Sequence, residues 1–523
     1  MKNAKQTSSD ERKQKFIDTI RKGYTFEGDS FTIGGAMLDG EPVTGLFVNI
    51  PVKTLNRHGL IAGATGTGKT KSMQVMAEQL SEKGIPVLLM DIKGDISGLA
   101  KPGQEHPKID ERMQKIGLPF TPKGYPVEFF SLTGKEGIQL RATVSEFGPI
   151  LMSRLLDLNE TQSGIVAVLF KYADDHRLPL VDLKDFKELL KWAIGPGRKE
   201  FQEEYGRISS ASVGSILRKI VELEQQGADL FFGEPSLEIE DLMRTDKHGR
   251  GIINIIRLTD IQDKPKLFST FMLQLLAELY AKMPERGDAE KPELVFFIDE
   301  AHLVFKNATK ALLEQIETII KLIRSKGIGI YFVTQNPKDI PDEVLAQLGL
   351  KIQHALRAFT AKDRKNIKLT AENFPLSEFY DTERLILKLG IGEALTTALG
   401  KKGRPTPLVH TLMRAPQSRM DILSPAELNE ILAASRLRKK YEKPLDKKSA
   451  YEILKEKLAE AAEEDEEKKE RKRKKKEKSA LSKMVNSSIG RMIIREVTRS
   501  LLGVLGLRAT RRRSTRRRKS SWF

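Results

Sequence analysis

Six apolar runs, HGLIAG, IPVLLMD, GIINIIRL, ELVFFIDE, GIGIYFVTQ and KIQHALRAF, each close in a Gly/Thr or acidic turn, and they begin only after Arg57. A strand exposed on one face alternates apolar and polar residues. Continuous Val/Ile/Leu/Phe runs belong to strands covered on both faces, as in a parallel sheet wrapped by helices. Helical spacings fall between the runs, at 69–83, 266–282 and 310–325. The pattern predicts a doubly wound α/β fold, whose sites lie at the carboxyl ends of the strands.

Around this core the chain divides further. Residues 1–56 are polar and Gly-dotted, with β-like runs at 30–33 and 45–50, and are expected to form a short β-rich extension. The core is read as 57–98 and 250–416, interrupted by a mostly helical insertion at 99–249 that contains the strand-like PVEFFSL. GIGEALTTALGKKGRPTPLVHTLMRAP reads as two strands joined by a Gly-Lys-Lys-Gly turn. Helices are expected over 417–458, then a sign-blocked, low-complexity linker at 459–484.

The 523 residues include no cysteine, which excludes disulfides, thiolate zinc sites and cysteine nucleophiles and fits a reducing compartment. MKNAKQTSSDERKQKF lacks the apolar segment of a secretory signal, and no run approaches a membrane span. A water-soluble, cytoplasmic protein is expected. Its formal charge of +18 resides in the tail: residues 468–523 hold 21 Lys/Arg against Glu470, Glu477 and Glu496, so the first 467 are close to neutral. The high pI describes the tail and does not make the body a nucleic-acid binder. Within 485–523, apolar Ile489, Met492, Ile493, Val497, Leu501, Val504 and Leu505 recur at helical spacing, with Arg491, Arg495 and Arg499 on another face, before RRRSTRRRKSS. Such a segment suits an anionic membrane surface or phosphates, read without regard to base sequence, or stays solvated with no fixed partner.

The chemistry is concentrated after the first apolar run. GATGTGKT (Gly63, Ala64, Thr65, Gly66, Thr67, Gly68, Lys69, Thr70) satisfies the phosphate-loop pattern between a strand and a helix. Its glycines let backbone N–H groups converge on an anion, Lys69 would reach the β/γ-phosphates, and Thr70 would ligate magnesium. LVFFIDEAH puts Asp299 and Glu300 at the end of another buried strand, as magnesium-side acid and general base; a kinase has no need of Glu300 there, whereas hydrolysis does. Gln335 ends GIYFVTQ as a contact for the γ-phosphate or the lytic water. Arg57 and Arg324 are candidate charge neutralisers, although isolated arginines are commonly solvated. The seven histidines form no cluster with metal-ligand spacing, and His58 and His302, beside the nucleotide motifs, read as structural.

RHGLIAGATGTGKT, LLMDIKGD, FFIDEAHLVF and IRSKGIGIYFVTQNP, supported by ATVSEFGPILMSRLL, SASVGSILRKI and QHALRAFTAKD, resemble the HerA-like branch of the HerA/FtsK ring ATPases over most of 57–416. The resemblance implies a RecA-like P-loop fold, ATP and Mg2+ as cofactors, and a hexameric ring that threads double-stranded DNA. It also implies Gln335 as sensor, Arg324 acting in its own subunit's site, Arg57 reaching into a neighbour's, and Asp91 as a further acid near the metal. HerA proper carries an N-terminal β-barrel that docks a nuclease. The roughly 50 residues before Arg57 are too few for it, so a nuclease partner is not expected. Three functions stay open at this point: a DNA translocase or helicase, a same-fold ATPase acting on protein or at a membrane, and a nucleotide-gated scaffold with little turnover.

Overall fold

The computed structural model describes residues 2–472, except 263, 288, 307–309, 401–402, 444–448, 458 and 460–469. The basic amphipathic segment and Arg-rich tail therefore lie outside the described residues, as does most of the charged linker. Two compact units are present, Met1–Tyr451 and Glu452–Phe523. The second is helical at 452–457 and 470–472. No helix among the described residues is long and apolar enough to cross a membrane.

The first unit is built on β1 (Ser30–Leu38), β2 (Glu41–Pro51), β3 (Gly59–Ala62), β4 (Val87–Asp91), β5 (Val127–Ser131), β6 (Ile138–Gln139), β7 (Ile253–Arg257), β8 (Leu294–Ile298), β9 (Ile328–Thr334), β10 (Leu350–Gln353), β11 (Glu393–Thr397) and β12 (Val409–Met413). Among the described residues they form one sheet, in the order β2-β1-β12-β11-β10-β3-β9-β8-β4-β7-β5-β6. From β10 to β6 every pair is parallel. From β10 to β2 every pair is antiparallel. The six apolar runs supply β3, β4, β7, β8, β9 and β10. All of these central strands except β10 and the end of β7 are buried at every position, as unbroken apolar runs require.

Successive side chains point to opposite faces. Ile61, Leu89, Phe297 and Tyr331 join one core with Met73, Met76 and Leu80 of the helix Lys69–Glu82. Phe332, next to Tyr331 in sequence, meets Phe305 on the other face, ring centroids 5.6 Å apart.

The structure differs from the sequence reading in two places. The N-terminal extension is not mainly β. It opens with a helix, Lys2–Gly23, and then the β1–β2 hairpin, which continues the main sheet through β12. Among its residues with described side chains Phe16 and Ile20 are buried, as is Tyr24 just after it, so the helix offers little periodic signal. PVEFFSL is also no part of a grafted subdomain: as β5 it pairs with β7 inside the main sheet. The helices of the insertion are Pro107–Ile116 and the series from Val144–Leu155 to Ser210–Gln225.

After β12 the chain runs along the helix Lys69–Glu82 before forming the helices Pro425–Ala434 and Arg436–Tyr441. Glu78, fully buried, fixes this path. Its carboxylate accepts the backbone N–H groups of Gln417 and Ser418, both at 2.9 Å, and the Ser418 hydroxyl at 2.5 Å. Glu78→Ala would strand the buried Ser418 N–H and the half-buried Gln417 N–H and should cost about 3 kcal/mol of stability. Denaturant midpoints for the variant and the parent check this.

Candidate functional site: a nucleotide pocket at the carboxyl edge of the sheet

Strand register decides which residues meet. Ala62 pairs with Thr334 and with Gln353, Ile298 with Phe332, and Met90 with Ile298. The residues that follow these strands, Gly63, Gln335, Asp299–Glu300 and Asp91, therefore gather at one edge. The loop is tied down on both sides, since Gly63 N–H donates to Thr334 O at 3.2 Å and Ala64 N–H to Ala355 O at 2.8 Å. Gly63, with φ 153°, admits no side chain: a Cβ there would stand 2.5 Å from His354 Cβ. Gly68, at φ 114°, caps the following helix in a left-handed conformation.

Lys69 is buried and donates to Gly63 O at 2.7 Å and Ala64 O at 3.1 Å. Burial, then the neighbouring Lys93 ammonium, lowers its pKa, so an arriving phosphate offers it a better partner than two neutral carbonyls. Thr65 donates to Gln335 Oε1 at 3.4 Å, and Gln335 Nε2 lies 3.4 Å from both Glu300 oxygens. The phosphate loop, the glutamate and the glutamine thus form one connected set. Glu300 is a buried non-glycine residue at φ 46°. Burial alone would raise its pKa, but an ion pair with Lys93 outweighs this and holds it ionised. Beside it lies a cavity of about 600 Å³ lined by His302, Phe305, Gln335, Asn336 and Asp339.

Asp91, Asp95 and Asp299 each keep one buried carboxylate oxygen without a hydrogen-bond donor. Asp91 otherwise accepts from Gly94 N–H at 2.7 Å and Asp95 N–H at 3.2 Å, and Thr70 Oγ1 lies 3.4 Å from Asp95 Oδ2. Burial, then Asp95, pushes Asp91 up to about 7; burial, then Glu300, pushes Asp299 up to about 6. Orphaned carboxylate oxygens with a nearby hydroxyl are a hard-cation donor set, and they fit magnesium. Lys93 and Asp95 were visible in MDIKGD but were not singled out there, because a strand-end turn rich in charge is ordinarily solvated.

The two arginines are not at this edge. Arg57 ends the 3-10 turn before β3, and Arg324 opens the one before β9. Gly59 pairs with Tyr331, so both precede aligned strands at the amino edge. The four residues of β3 and the seven of β9 put roughly 13 and 23 Å between these arginines and the loop residues that follow, at about 3.3 Å per residue. The expectation that Arg324 serves its own chain's site fails for this reason: residues before and after one extended strand lie at opposite ends of it.

Two buried histidines brace the frame. His58 Nε2–H donates to Ile320 O at 2.8 Å and Nδ1 accepts Ile330 N–H at 3.0 Å. His354, missed in the sequence because QHALRAF reads as a plain strand, donates from Nδ1 to Glu393 O at 2.8 Å and accepts from Ser72 at 2.9 Å. Burial depresses both to about 4 from an ordinary 6.5. Below 6.5 the unfolded chain takes up protons that the folded chain refuses, so their stabilising effect is full above that pH and is lost as pH falls toward 4. Stability should decline across that window, and His354→Asn should flatten the decline in a pH series of unfolding midpoints.

The family model for the Helicase HerA-like C-terminal domain matches residues 38–515. The chain belongs to that family, and its fold and site are those of a P-loop ATPase. It is 22% identical over 355 residues to "DNA double-strand break repair helicase HerA" of Sulfolobus acidocaldarius, covering 66% of this chain and 63% of that protein. It is 25% identical over 356 residues to the protein of the same name in Saccharolobus solfataricus, with the same coverage. "DNA import protein CedB" of Sulfolobus acidocaldarius matches at 25% over 349 residues, 66% of this chain and 50% of that protein. The chain thus spans less than two thirds of these relatives. A solved structure of the bacterial conjugative coupling protein TrwBdeltaN70 shares the fold at TM-score 0.50 and 14% identity, covering 78% of this chain and 94% of that one.

Proposed function

We propose that the chain is an ATP- and magnesium-dependent ring motor, a hexamer acting on double-stranded DNA in the cytoplasm, whose hydrolytic sites are completed across subunit contacts. The observation that carries this is the division of the site between two edges of one sheet. Lys69, Thr70, Asp91, Asp299, Glu300 and Gln335 stand at the carboxyl edge; Arg57 and Arg324 stand at the amino edge. In this reading a γ-phosphate held by this loop receives Arg57 from a second copy, because Arg57 and Arg324 of its own copy stand at the opposite edge.

In this reading Lys69 leaves the Gly63 and Ala64 carbonyls for the β/γ-phosphate oxygens. Gln335 orients water beside Glu300, and Glu300, ionised, takes its proton as the water attacks the γ-phosphorus. Thr70, Asp299, Asp91 and Asp95 would hold Mg2+, which when bound neutralises charge on the phosphate oxygens. Glu300→Gln should leave nucleotide binding intact and lower kcat by about 100-fold or more.

The DNA substrate is drawn from the names of the helicase and DNA-import relatives. The basic segment 468–523 would add contacts to nucleic acid or anionic lipid. The test is hydrolysis with and without duplex DNA, using the chain lacking 468–523. Stimulation that survives the deletion supports a motor body that engages DNA; indifference to DNA argues against it. Arg57→Ala should abolish hydrolysis while ATP still binds, and mixing it with Lys69→Ala protein should restore part of the activity. Absence of any rescue contradicts the shared site.

A further inference from the structure

In the helical insertion the helix Glu160–Asp175 ends at His176, and the short helix Arg198–Glu204 lies beside that end. Three rings join them. His176 stacks on Tyr172 with centroids 3.9 Å apart, and Tyr172 stacks on the buried Phe201 at 4.1 Å. Phe201 thereby brings Glu200 and Glu204, four residues apart on one helix face, to the imidazole. His176 Nε2 lies 3.0 Å from Glu200 Oε1, and one donor atom each of His176, Glu200 and Glu204 lies within 4.8 Å of the others. His176 and Glu200 are half-buried and Glu204 is exposed, so the group is open to solvent on one side.

Two observations distinguish this group from an ordinary surface ion pair. His176 Nδ1 faces Tyr172 O at 3.0 Å. A carbonyl only accepts, so Nδ1 carries the hydrogen and Nε2 turns its lone pair toward the two carboxylates, the orientation in which metal-binding imidazoles are held. Glu200 is aimed from the interior as well. The fully buried Tyr172 hydroxyl donates to Glu200 Oε1 at 3.2 Å and accepts Trp192 Nε1–H at 3.1 Å. Lys171 and Lys199 are spent on Asp175 and Glu203, and no lysine or arginine among the described residues pairs with Glu200 or Glu204. Lone pairs from three side chains therefore converge where the charge of a cation is wanting.

We infer that His176, Glu200 and Glu204 form a zinc site that staples the end of the helix Glu160–Asp175 to the helix Arg198–Glu204. Zinc takes imidazole nitrogen and carboxylate oxygen at about 2.0–2.2 Å, which sets its donor atoms roughly 3–3.5 Å apart. His176 and Glu200 already stand at that spacing, and a side-chain rotation of the exposed Glu204 closes the set, with water in the fourth position. The imidazole separates this site from the all-oxygen acids at the nucleotide edge, which suit magnesium. Histidine spacing alone gives no sign of it, because the partners of His176 are carboxylates 24 and 28 residues further along the chain. The inference is independent of the nucleotide reading.

The test is titration of the chelator-treated full chain with zinc chloride, in excess magnesium and against a chromophoric zinc indicator; the chain has no cysteine to compete for the metal. The parent should bind one zinc that Glu204→Gln, Glu200→Gln and His176→Gln each weaken by about tenfold or more. Glu204→Gln changes an exposed side chain and keeps its shape, so it reads the site without disturbing the packing around Tyr172. In the parent, zinc should also slow backbone hydrogen exchange over 160–205, and in Glu204→Gln it should not. Zinc uptake that Glu204→Gln leaves unchanged overturns the inference, as does uptake equal in the parent and all three variants. So does zinc binding that leaves exchange over 160–205 as it was.

Discussion

Four carboxylates, Asp91, Asp95, Asp299 and Glu300, share the carboxyl edge with two ammonium groups, Lys69 and Lys93. Buried charge is tolerated only when it is paired, and here the pairing is incomplete. Glu300 has Lys93, whereas three aspartate oxygens have no donor. Burial raises Asp91 and Asp299 toward neutrality. In the proposed reading the acids would hold Mg2+ and Lys69 would hold the phosphates, so that each charge would gain a partner.

The rest of the fold serves to hold that edge still. His58 ties the amino ends of β3 and β9 to the helix above them, and His354 ties the phosphate-loop helix to β11. Glu78 clamps the chain after β12 along the same helix. Each is a buried polar contact whose loss would loosen the phosphate loop without touching nucleotide. The division of the site between opposite edges of the sheet follows from parallel pairing itself, and the proposed subunit sharing depends on it.

Much of this was legible in the residues. Unbroken apolar runs identify parallel strands because burial on both faces leaves no room for polar alternation, and GATGTGKT and FFIDE carry their chemistry in their composition. What was hidden depends on long-range pairing. Among its described side chains the N-terminal helix shows Phe16 and Ile20 to the core, with Tyr24 just beyond it, too few for a periodic signal. PVEFFSL looked like part of an insertion because it is distant in sequence from β7, its neighbour in the sheet. The resemblance put Arg324 in its own subunit's site, although β9 stretches most of the eleven-residue interval between it and Gln335 into distance. Lys93 and His354 gain their roles only from the partners that folding brings to them.

The central claim is that one copy of the chain holds an incomplete hydrolytic site. Specific ATPase activity, measured across a protein dilution series alongside the mass distribution of the same samples, tests it most directly. Activity per chain should rise and saturate with the assembled fraction and vanish where only monomer remains. Undiminished turnover by monomer would contradict the account.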